Sequence, residues 1–175
     1  MSHHSRFLEK DIRNYKRISI LGISGSGKST FARKLSQKLD IPVYHMDNLF
    51  WGPEWQEMPE RYWTEKEAEI HHRKEWILEG YIEPKHRDRL NYSDLIIYLD
   101  ISGIVCAMNG FKRSVRYHGR CRPELPGCEE KINISYLWTM LMRKERPEIE
   151  AALSGVKHVL RITSQSAANR FLEML

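Results

Sequence analysis

One stretch constrains this chain more than any other: the nine residues Gly22-Ile-Ser-Gly-Ser-Gly-Lys-Ser-Thr30, which fit the pattern G-x-x-x-x-G-K-[ST]. Glycines let the backbone curl until several N–H groups converge on one point, a nest that suits an anion. A helix that starts directly after such a loop adds the positive potential of its N-terminus. The flanking sequence provides for both. Arg17-Ile-Ser-Ile-Leu21 is a short β-branched run that reads as a buried strand entering the loop, and Phe31, Leu35 and Leu39 recur at helical spacing after it. In that setting Lys28 reaches the outer phosphates of a nucleoside triphosphate and Ser29 offers its hydroxyl to Mg²⁺. Gly22, Ser24, Gly25, Ser26, Gly27, Lys28, Ser29 and Thr30 are therefore expected to hold the phosphates of ATP, with Ser29 at Mg²⁺.

The rest of the chain agrees with an α/β domain. Its 175 residues imply a single domain over 1–175, and 41% hydrophobic with 29% charged residues excludes a disordered, collagen-like or coiled-coil chain. No apolar run approaches the roughly 18 residues of a membrane span. The start has no apolar leader segment, and three cysteines, Cys106, Cys121 and Cys128, do not make a disulfide framework, so a reducing cytoplasm is expected. Strand-like runs recur at Ile41–His45, Glu75–Glu79, Asp94–Asp100 and Val156–Ile162. Helical patterns fall at Thr30–Leu39, Tyr62–Lys74 (polar and solvated), Gly103–Tyr117, Asn133–Lys144 (disturbed near Pro147) and Ser164–Leu175, while Asp47–Arg61 reads as a loop. Such alternation implies βαβ units and a parallel sheet between helices, with ligands at the carboxyl ends of the strands.

A phosphate loop serves switches, motors, helicases and small kinases alike, so other residues must choose. Glu79 ends the third strand, where an acid can hold Mg²⁺ through water or simply face solvent. Asp47 follows the second strand and can face an acceptor hydroxyl or cap a turn. Trp51 and Trp55 come next and can wall an acceptor pocket or cover the sheet edge. From Ile101 to Pro123 there is no Asp or Glu, yet Lys112, Arg113, Arg116, Arg120 and Arg122 fall there. Arginines so grouped can clamp phosphate oxygens and close a lid over them, or form a basic solvated face. His118, Cys121 and Cys128 lack a fourth ligand and fit no usual zinc spacing. The net charge of +5 favours anionic partners without separating nucleic acid from small phosphates.

The phosphate loop, Ile41-Pro-Val-Tyr-His-Met-Asp-Asn-Leu-Phe-Trp51, Trp76-Ile-Leu-Glu-Gly80, Ile96-Ile-Tyr-Leu-Asp100 and Arg116-Tyr-His-Gly-Arg-Cys-Arg-Pro123 together resemble the adenylate-kinase-related proteins called topology modulation (FlaR-like) proteins. The resemblance implies a three-layer P-loop fold similar to adenylate and shikimate kinases: a five-stranded parallel sheet of order 2-3-1-4-5 with a helical lid, here over 103–147, after strand four. Carried onto this sequence, it implies lid roles for Arg116 and Arg120, an acid near acceptor and metal at Asp47, and an acceptor-phosphate contact at Arg89. Glu79-Gly80 stands where related sequences usually carry Asp-Gly.

The expected activity is phosphoryl transfer from Mg·ATP to an unidentified nucleoside- or nucleotide-type acceptor. Lys28, Asp47, Arg116 and Arg120 are the expected catalytic set, and Asp47, Trp51, Glu79 and Arg89 the acceptor side. No membrane is expected as a partner, and the chain is expected to be a monomer or homodimer. The alternative expectation is a regulatory NTPase that contacts DNA or RNA.

Overall fold

The structure, a computed structural model, describes residues 12–175. β1 (Arg17–Leu21), β3 (Trp76–Glu79) and β4 (Leu95–Leu99) are buried nearly end to end, as their unbroken apolar runs require of central parallel strands. With β2 (Val43–His45) and β7 (Val159–Ile162) they form one parallel sheet of order β2-β3-β1-β4-β7. This is the expected order: β7 is the fifth strand of the sheet, and β5 and β6 lie outside it. The register sets His45 beside Glu79, and Ile20 beside Glu79 on the other side.

Helix α1 (Lys28–Leu39) leaves the phosphate loop and packs on β1, β2 and β3, and on α7 (Gln165–Glu173) through stacked Phe31 and Phe171 rings. Between β2 and β3 lie the short α2 (Met46–Phe50), a 3₁₀ turn (Pro53–Trp55) and α3 (Glu60–His71). The expected loop thus contains one helical turn. The expected solvated helix α3 is not wholly solvated: it buries Trp63, Glu67 and Ile70, and with Met46, Trp76 and Leu78 it makes a second small core. A one-sided apolar stripe in an otherwise charged helix is the cause.

After β4 come α4 (Gly103–Arg116), a short antiparallel hairpin of β5 (Cys121–Arg122) and β6 (Leu125–Glu129), α5 (Ile134–Leu141) and α6 (Arg146–Leu153). Pro147 does not disturb α5. It starts α6, where a missing N–H costs nothing. Asn133 and Ser164 cap α5 and α7 with their side chains. No helix among the described residues is long and apolar enough to cross a membrane.

Candidate functional site

The carboxyl ends of β1, β2 and β4 open into a cavity of ≈ 1510 Å³. The phosphate loop forms its floor. The Ser26 N–H closes a turn on the Ile23 carbonyl, and Lys28 Nζ folds back to the same oxygen at 3.2 Å. Gly25 and Gly27 take φ of +78° and +92°, values only glycine adopts freely. A side chain at Gly25 would also strike the Cys106 carbonyl of α4. The loop is held from behind: Asn109 Nδ2 donates to the Gly25 carbonyl and Gln165 Nε2 to the Ser26 carbonyl, each at 2.9 Å. From above, the Glu145 carboxylate accepts the Ser24 N–H at 2.7 Å, and the Tyr136 hydroxyl donates to Ser24 Oγ at 2.6 Å.

Two carboxylates face the loop lysine. Glu79, only 3% exposed, sits just behind the cavity wall, bonded to His45 Nδ1 at 2.5 Å. Burial alone would raise its pKa, but His45, Lys28 and the Ser29 hydroxyl together hold it below the ordinary carboxylate value. The same bond lifts His45 above its usual value in spite of burial. Asp47 lines the cavity one residue into α2. Burial drives its pKa up against the pull of Lys28, Arg122 and Arg113. The two acids are thus separated by environment, one firmly ionised and one readier to accept a proton.

The roof is the segment after β4. Arg113 and Arg116 of α4 and Arg122 of β5 line the cavity. Arg113 and Arg122 meet at the buried Glu130, their Nε atoms 3.4 and 2.6 Å from Oε1. The hairpin is pinned on two sides. Arg33 of α1 pairs with Glu124 at 3.1 Å, and Trp55 Nε1 donates to the Glu129 carbonyl at 2.8 Å. Trp51 and Trp55 meet edge to face, 5.7 Å between centroids, on the cavity rim.

Solved structures share this fold. A gluconokinase from Sinorhizobium meliloti 1021 is 15% identical, with a TM-score of 0.56 over 91% of this chain and 88% of its own. A shikimate kinase from Acinetobacter baumannii, in complex with shikimate, is 18% identical, with a TM-score of 0.57 over 94% and 93%. A deoxyadenosine kinase from M. mycoides is 16% identical, with a TM-score of 0.51 over 90% and 94%. The fold is that of small P-loop kinases. No protein-family model matches the chain. In sequence it matches an uncharacterized Bacillus subtilis (strain 168) protein, YqaC, 35% identical over 88 residues. The match spans 48% of this chain and 48% of that relative, so the chain covers about half the length of the curated relative it matches.

Within this P-loop kinase fold the expected residues divide. Ser24 through Thr30, Asp47, Trp51 and Arg116 line one cavity. Gly22 packs beneath them against Leu99. Two further expected residues lie outside the cavity wall. Arg120 is exposed in the turn that leads into the hairpin, and Arg122 takes the inward place, the chain turning at Gly119 with φ of +67°. Arg89 is also outside it, 9% exposed, paired with the buried Glu67 and bonded to the Tyr81 carbonyl. A guanidinium so placed satisfies its own helix packing and does not face an acceptor. Sequence reasoning missed Asn109, Glu130, Tyr136, Glu145 and Gln165. None stands in a local motif, and each reaches the site only through tertiary packing.

Proposed function

We propose that this protein is an ATP-dependent small-molecule kinase that transfers the terminal phosphoryl group of Mg·ATP to an acceptor hydroxyl. One observation carries the reading: Lys28, Ser29 and Asp47 line one cavity beneath three arginines, and Glu79 stands just behind its wall against Lys28 and Ser29. Oxygen donors from Ser29 and Glu79 beside a lysine fit Mg²⁺ with bound phosphate better than a softer metal. Mg²⁺ would supply neutralisation of the phosphate charge there, with Ser29 and Glu79 holding it. Lys28 and the loop N–H groups orient the phosphates. Asp47, its pKa raised, is placed to take the acceptor proton. Arg116, which lines the cavity with no ion pair among the described residues, balances charge on the transferring group, and the hairpin roof excludes water. The motifs around Asp47 and Arg116–Pro123 also support kinship with the FlaR-like adenylate-kinase relatives.

The test is ADP release from Mg·ATP, coupled to an optical readout, across nucleosides, nucleoside monophosphates, sugars and hydroxy acids, with duplex and single-stranded DNA alongside. A strong rise with one small acceptor and none with DNA is the expected result. A basal rate raised only by DNA would replace this reading with a nucleic-acid-dependent NTPase.

A further inference from the structure

We propose that the acceptor is an uncharged ring bearing hydroxyls (a sugar, or the sugar of a nucleoside) seated on the Trp51–Trp55 rim, and not a phosphorylated molecule. The proposal rests on the kinase reading above and narrows its acceptor.

Charge makes the first argument. Two arginines of the cavity, Arg113 and Arg122, and the expected acceptor contact Arg89 outside it are already opposed by a carboxylate. Arg89 is spent on Glu67 at 3.4 Å, and Arg113 and Arg122 share Glu130 at 3.4 and 2.6 Å. Glu67 and Glu130 are themselves 6% and 4% exposed. An acceptor phosphate that recruited these arginines would strand a buried carboxylate, which is strongly disfavoured. Lys112 and Arg116 form no ion pair among the described residues, but they follow Asn109 along one face of α4, and Asn109 is bonded to the phosphate loop.

Shape makes the second. Asp47 and Trp51 are four residues apart, joined by the Trp51 N–H to Asp47 carbonyl bond of 2.9 Å, so both project from the same side of one turn. Trp55 extends that surface. It and Glu54 hold left-handed φ of +60° and +57°, a costly pair for two side-chain-bearing neighbours. The turn is clamped there by the Trp55 indole N–H on Glu129 and the Cys128 thiol on the Gly52 carbonyl at 3.2 Å. The fold thus fixes an aromatic edge beside a carboxylate. Such a surface binds the C–H face of a sugar or the face of a base without needing charge.

The chemistry then balances. The acceptor hydroxyl oxygen bonds to the γ-phosphorus, and the bond from that phosphorus to the bridging oxygen of ADP breaks. The hydroxyl proton goes to the Asp47 carboxylate. The products are ADP and a phosphate monoester, whose new charge meets Arg113 and Arg122 already engaged by Glu130.

The test is calorimetric titration of the full chain, saturated with a non-hydrolysable Mg·ATP analogue. The probes are matched pairs: adenosine and AMP, thymidine and its 5′-monophosphate, glucose and glucose 6-phosphate. One neutral member should bind at least roughly tenfold more tightly than its phosphorylated partner, and the pair that responds tells sugar from nucleoside. Trp51→Leu should weaken that binding by about tenfold, with the analogue's own affinity serving as the fold control. Tighter binding of the phosphorylated members, or binding of the analogue with no neutral member bound, would overturn the proposal. Failure of the analogue itself to bind would instead overturn the kinase reading on which it rests.

Discussion

The phosphate loop and the acceptor rim are built in opposite ways. The loop is one contiguous stretch between a central strand and a long helix, and the main core holds both. The rim takes Asp47, Trp51 and Trp55 from one connection and Arg122 and Glu130 from another, with chain between them that crosses the whole sheet. A loop that binds a common ligand through backbone N–H groups needs only glycines and a helix start. A rim that must choose an acceptor needs side chains from separate segments, each braced by the other. The second, smaller core beneath α2 and α3, with its buried Glu67 and Arg89, is the footing of that rim.

The contrast can be broken at either side. The largest effect expected is on chemistry alone: Lys28→Ala should cost about 10⁴-fold in phosphoryl transfer, on the scale of a lost charge-stabilising cation, with thermal unfolding unchanged. Activity close to that of the unaltered protein would remove the loop from the mechanism. Next, Arg89→Met should cost about 3–5 kcal/mol of stability by leaving Glu67 buried and unpaired. Urea titration reads this directly, and adding Glu67→Gln to the same chain should restore much of it. An unchanged midpoint would show that the footing does not depend on the pair.

Acid should strike the same footing. His71 is pushed down from 6.5 to about 4 by burial, reinforced by Arg89 and His72, and it stacks on Tyr92 at 4.5 Å. Because the folded state resists the proton, its contribution is complete above pH 6.5 and is lost as pH falls toward 4. The loss should total about 3 kcal/mol, and His71→Phe should flatten that part of the stability-against-pH curve. A curve with equal slope in both proteins would refute it. The smallest effect is at the roof. Asn133→Ala removes the cap whose Oδ1 accepts the Tyr136 N–H at 3.0 Å, and should lower the melting temperature by the equivalent of about 1 kcal/mol.

The sheet was legible because its strands are unbroken apolar runs, and the loop because its chemistry is local. β4, at Leu95–Leu99, needed no partner to be recognised. The β5–β6 hairpin was not legible: Leu125-Pro-Gly-Cys-Glu129 carries Pro and Gly that read as a turn, and its pairing was not specified by any alternation. Arg89 and Arg120 show the same limit from another side. Residue type and spacing place a guanidinium on the chain, but a buried glutamate on α3, or a left-handed glycine just before it, decides where the side chain goes. Tyr136 and Glu145 are the extreme case, since their contact with Ser24 spans more than a hundred residues.

Helix α4 has a mechanical consequence. Its first turns are wedged against Gly25 through the Cys106 carbonyl and bonded to it through Asn109. Its last turn carries Arg113 and Arg116 and runs into the hairpin. Fourteen residues make a rod of about 21 Å. α5 braces that rod along its length, its Leu141 and Met140 lying close against Gly103 and Gly110. The phosphate loop is in this way joined to the hairpin, and through Trp55 to the rim, by a single stiff part.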